Sequence, residues 1–77
     1  MNIEEIVAEN LRGYRCAKNL TQEEVAGKAD LHVNYYARCE RGERMPSLST
    51  LVTLAKVLKI QPYLLLKPEG WKDQIGK

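Results

Sequence analysis

The stretch LTQEEVAGKADLHVNYYARCERG, residues 20–42, constrains what this chain can fold into more than any other. It reads as two short helices joined by a tight turn. Thr21 opens the first, and Glu24 three residues on completes a capping box: hydroxyl to one backbone N–H, carboxylate to another. Val25, Ala26 and Ala29 give that helix one apolar face. Lys28-Ala29-Asp30-Leu31 then breaks it, because aspartate tolerates the left-handed backbone of a sharp turn, though less well than glycine. Leu31 returns to the core, and a second helix is expected from about His32 to Arg41, stopped by Gly42. Tyr36, Cys39 and Glu40 share one side of it; Asn34, Tyr35, Arg38 and Arg41 share the other. A helix with an apolar side turned in and a donor-rich side turned out is offered to a partner.

The rest of the chain reads as support for this pair. A first helix is expected from about Ile3 to Lys18, capped by Asn2 with Glu5 three residues on, and apolar at Ile3, Ile6, Val7, Leu11 and Tyr14. Glu40 faces inward and needs a cation. Arg15, one turn past Leu11 on the same side, is the candidate. Pro46 and Ser47 end the loop after Gly42 and start a fourth helix, Leu48 to about Lys59, with a broad stripe of Leu48, Leu51, Val52, Ala55 and Leu58. A fifth helix is expected near Pro62. Tyr63, Leu64, Leu65 and Leu66 cannot all face one core, so part of that run is expected to pair with a second copy. Regular structure is expected to end at Pro68 and Gly70, leaving residues 68–77 as a tail carrying Trp71.

Composition narrows the function classes. Seventy-seven residues allow one domain, here placed at 1–67, and 44% hydrophobic with 29% charged residues suits a globular chain. No apolar run spans a bilayer, and Glu4, Glu5 and Glu9 make the N-terminus unlike a signal peptide, so a cytoplasmic protein is expected. The net charge of +2 is weak; between positions 12 and 44, Arg12, Arg15, Lys18, Lys28, Arg38, Arg41 and Arg44 stand against Glu23, Glu24, Asp30, Glu40 and Glu43. The outward charge there is positive if Glu40 is paired internally and Glu23 and Glu24 sit at a helix start. Cys16, Cys39 and His32 have no metal-ligand spacing; the two cysteines are expected as small buried hydrophobes, the alternative being a redox pair. With one histidine, no phosphate loop and no nucleophile–base pairing, neither an enzyme nor a cofactor is expected.

Residues 11–66 resemble the phage-repressor and Cro-type helix-turn-helix family, which includes small controllers of restriction–modification systems. The resemblance lies in Leu11-Arg12 and Arg15, Leu20-Thr21-Gln22-Glu23, Val25-Ala26, Leu31, Tyr35-Tyr36 and Glu40-Arg41-Gly42. It continues through Pro46-Ser47-Leu48, Leu51, Leu54-Ala55, Leu58, Ile60 and Leu64-Leu65. Three positions depart from the pattern: Asp30 stands at the turn glycine, His32 at the Ser or Thr before the second helix, and Lys59 at a later glycine.

The resemblance implies an all-α, five-helix fold and a homodimer, paired through helices four and five, on a palindromic double-stranded DNA operator. It implies that Val33, Asn34 and Arg38 reach base edges in the major groove, with Tyr35 beside them, and that Arg15 pairs with Glu40 inside. The chemistry suits: Arg38 for guanine O6 and N7, Asn34 for adenine, Val33 for a thymine methyl, Tyr35 for a sugar or a phosphate. Gln22, at a helix N-terminus, suits a phosphate, as do Lys28, Arg41 and Arg44; His32 suits a phosphate or water contact. The competing reading is an antitoxin-type interaction module of the same fold, with a toxin as protein partner.

Overall fold

Four helices start where a side chain takes up backbone N–H groups that the helix cannot satisfy itself. The computed structural model describes residues 1–75, with side chains through Lys72. Helix α1 (Ile3–Ala17) is capped by Asn2, whose side chain accepts from the Glu5 N–H at 2.9 Å while the Glu5 carboxylate accepts from Asn2. Helix α2 (Gln22–Lys28) has the matching box, Thr21 with Glu24, at 2.9 and 3.0 Å. Helix α3 (Val33–Glu40) is capped by the His32 ring, Nδ1 accepting from the Asn34 N–H at 3.4 Å. Helix α4 (Leu48–Leu58) is capped by the Ser47 hydroxyl, which accepts from the Thr50 N–H at 3.2 Å.

The helix ends share one device. After α1, α2, α3 and α4 a single residue turns left-handed: Asn19 (φ 56°), Asp30 (φ 56°), Gly42 (φ 77°) and Lys59 (φ 59°). The next N–H then folds back onto the last turn, as in Leu31 N to Ala26 O at 2.8 Å and Ile60 N to Ala55 O at 3.0 Å. Behind Asn19, Asp30 and Lys59 that next residue is apolar, and Leu20, Leu31 and Ile60 all pack on the core. Behind Gly42 it is the exposed Glu43. The chain leaving α3 therefore stays on the surface through Met45 and is buried again only at Pro46, where the others dive in at once.

The core is built around α1, which packs against α3, α5 and the turn at 62–65, while α2 packs on α3 and α4. Val7, Leu11 and Tyr14 meet Val25, Tyr36, Cys39, Leu54, Leu58 and Leu65, all essentially without exposure. Every regular element among the described residues is helical.

Four expectations are corrected. The segment from Pro62 is a 3-10 turn, Pro62–Leu65, rather than a longer helix; Leu64 and Leu65 go in, while Tyr63 and Leu66 stay exposed. Cys16 is exposed and only Cys39 is buried: at 100° per residue, Cys16 lies on the far side of α1 from Tyr14. Leu48, at the first position of α4, is 74% exposed, because the buried part of that helix begins at Leu51. Regular structure does not end at Gly70; a short helix α5 (Gly70–Ile75) follows, and residues 76–77 of the expected tail lie outside those described.

Asn10 explains why α5 docks. Its fully buried amide donates to Leu65 O at 2.9 Å and Lys67 O at 2.8 Å, and its oxygen accepts from the Trp71 N–H at 3.1 Å. Beside it, Gly13 lets the indole lie on the α1 backbone, since a Cβ there would come within 2.4 Å of Trp71. Gly70 is needed as well: its Cβ would stand 2.6 Å from Leu64 O.

Candidate nucleic-acid interface

A helix that reads a surface needs a fixed orientation, and the inner side of α3 supplies it. Glu40 is 1% exposed, and its carboxylate accepts from Arg15 Nε at 2.6 Å, Arg15 Nη2 at 3.0 Å and Gln22 Nε2 at 2.9 Å. Arg15 Nη1 also donates to Leu20 O at 2.9 Å, and Arg12 donates to the Glu40 carbonyl. Three helices are thus joined at one carboxylate. Burial alone raises the Glu40 carboxyl, but the hydrogen bonds from Arg15, Tyr36 and Gln22 outweigh it and hold it below the ordinary carboxylate range. The Tyr36 hydroxyl is pushed well up, first by burial and then by that carboxylate. Cys39, between them in sequence, has its thiol raised by burial, which keeps it a neutral packing group.

The opposite side of α3 forms an open concavity lined by His32, Asn34, Tyr35, Ala37, Arg38, Arg41 and Arg44. Asn34, Ala37, Arg38 and Arg41 follow helical spacing along it, with Asn34 and Arg38 exposed. Arg44 comes from the loop after Gly42 and stacks over the Tyr35 ring, 5.7 Å from its centroid. Arg41 is bound to Glu43, Nε to Oε2 at 2.8 Å, and that bond lowers the Glu43 carboxyl. Guanidinium groups and an amide on one curved face can pair bidentately with base edges and phosphates.

Six of the residues singled out from sequence meet in this concavity: His32, Asn34, Tyr35, Arg38, Arg41 and Arg44. Gln22 and Val33 line an adjoining groove with Arg15, Leu20, Thr21 and Glu23. The Gln22 amide donates to Glu40 at 2.9 Å, which occupies one of its two N–H groups. Lys28 is exposed at the far end of α2, outside both. Ala37 was not singled out. Its signal was spacing alone, three residues past Asn34 and four before Arg41; its small side chain keeps the middle of the face shallow. Among the described residues, no group of three His, Cys, Asp or Glu side chains is placed to hold a metal, and no helix is long and apolar enough to cross a membrane.

Comparison with known proteins places this geometry. The helix-turn-helix family HTH_3 matches residues 11–65. The chain is similar to control protein C.SmaI of Serratia marcescens, 46% identical over 76 residues, covering 99% of this chain and 90% of that protein. It is 38% identical over 66 residues to control protein C.BamHI of Bacillus amyloliquefaciens, covering 84% of this chain and 82% of that protein. The crystal structure of the restriction-modification controller protein C.AhdI from Aeromonas hydrophila matches with a TM-score of 0.78 at 37% identity, covering 80% of this chain and 94% of that one.

Proposed function

This chain belongs to the helix-turn-helix family of DNA-binding transcriptional regulators, and from that premise we propose that it is a control protein that reads a two-fold-related operator as a homodimer. The observation that carries the reading is the α3 concavity, which gathers Asn34, Arg38, Arg41 and Arg44 outward while Glu40 pins the same helix from behind. Asn34 and Arg38 select bases in the major groove, with Val33 against a thymine methyl. Gln22, His32, Arg41 and Arg44 hold phosphates and set register, and Lys28 adds to the field around them. Relatives named as control proteins, one of them as a restriction-modification controller, support a setting beside a restriction–modification system. They also weigh for DNA over the antitoxin-type reading.

The exposed Tyr63 and Leu66, next to α4, suit the pairing surface. Selection from random duplexes, with sedimentation of the free and bound protein, tests the whole reading. The expected result is a symmetric consensus with half-sites about one helical turn apart, bound by two copies. A selection that enriches no sequence overturns it.

A further inference from the structure

Tyr35 stands on the outward side of α3, yet its ring is half-buried against the core cluster. Its hydroxyl is raised, first by burial and then by the Cys39 thiol. The Arg44 guanidinium lies over that ring, 5.7 Å from its centroid, and both residues line the α3 concavity. Arg44 is carried by the segment between α3 and α4, which has no regular structure at that point. This is also the one exit of α1–α4 at which the residue directly after the left-handed turn is polar and exposed, Glu43 after Gly42, so the chain is next buried only at Pro46. A long side chain on such a segment loses considerable rotamer freedom when a ligand fixes it. A cation within about 6 Å of a ring centroid is held there in advance by the ring quadrupole.

We propose that Tyr35 is a positioning residue: its ring holds the Arg44 guanidinium at the rim of the α3 concavity, ready for a phosphate, and Tyr35 acts on DNA through Arg44 rather than through its own hydroxyl. The inference rests on the DNA-binding reading above. The alternative, a phosphate taken by the Tyr35 hydroxyl itself, is what the Tyr35→Phe variant tests. Arg38 and Arg41 need no such platform, since both stand on or at the end of a helix and Arg41 is also tied to Glu43.

The test compares Tyr35→Phe, Tyr35→Leu, Arg44→Ala and the double variant Tyr35→Leu/Arg44→Ala, measuring affinity for the selected operator and for random duplex across a salt series. Tyr35→Phe keeps the ring face and should bind like wild type. Tyr35→Leu removes no charge and leaves Arg44 able to reach its phosphate, so it should lose about 2- to 5-fold on both duplexes with the salt slope kept, whereas Arg44→Ala lowers that slope by about one. The double variant should be no weaker than Arg44→Ala alone. A Tyr35→Phe loss equal to that of Tyr35→Leu, or additive losses in the double variant, overturns the proposal while leaving the DNA-binding reading in place. Failure of the wild-type chain to bind any duplex overturns both. A measurement on the unaltered protein removes any dependence on the variants folding: in free wild type the Arg44 side-chain protons should carry upfield ring-current shifts, and random-coil shifts there overturn the proposal directly.

Discussion

The two sides of α3 come from one eight-residue helix and are held in opposite ways. On the inner side Tyr36, Cys39 and Glu40 are buried, and Glu40 is gripped by side chains from α1 and α2. On the outer side Asn34 and Arg38 are exposed, and the contacts nearby are a stack and a surface ion pair. The difference separates orientation from specificity. Inner residues set where the helix lies, and a change there is felt by the whole fold. On the proposed function the exposed Asn34 and Arg38 set what the helix meets, and they can change without the core noticing.

The largest break in this comparison should come from Glu40→Ala. It strands Arg15, only 17% exposed, and should cost about 3–5 kcal/mol of stability, read as a fall in Tm with binding lost through unfolding. If Glu40→Ala melts like wild type, the inner side is not the anchor. The same carboxylate sets an acid limit. Its folded pKa lies below its unfolded value, so its contribution is complete above the unfolded carboxylate range and is lost as pH falls through the folded pKa. Tm should therefore hold near neutral pH and drop once pH passes below about 4, with a shallower drop in Glu40→Gln.

Arg38→Ala should do the reverse: Tm unchanged, about 1–3 kcal/mol of binding lost, and discrimination relaxed at one base pair. Equal losses on specific and random duplex would remove Arg38 from base reading. The smallest effect sharpens the outer side. Glu43 sits beside the interface and occupies Arg41, so Glu43→Gln should tighten binding to every duplex several-fold and steepen the salt dependence. An unchanged salt slope would show that Arg41 makes no phosphate contact.

Legibility in the sequence followed distance along the chain. The boxes at Asn2/Glu5 and Thr21/Glu24 and the left-handed Asp30 act within one helical turn, so residue type and spacing sufficed to expect them. The inward Glu40 could be matched to Arg15 because a buried carboxylate demands a cation, Arg15 lies one turn past Leu11 on the same side of its helix, and the family resemblance pairs the two positions. Gln22 misled in part: its position at a helix start suggested a free donor, whereas the fold brings Glu40 within 2.9 Å of it. Asn10 gave no signal at all. Its partners are backbone groups 55 to 61 positions away, and any asparagine could have stood there exposed.

The chain by itself therefore determined helices α1–α4, their N-terminal caps, and the division of α3 into an apolar and a donor-rich side, because those depend on neighbours three or four residues apart. Only the tertiary structure decided that Asn10, Gly13 and Gly70 seat the C-terminal helix, that Gln22 joins the Glu40 cluster, and that Arg44 rests on Tyr35. Those contacts join groups whose meeting depends on how packed helices bring separate segments together, and no local rule of spacing carries that information.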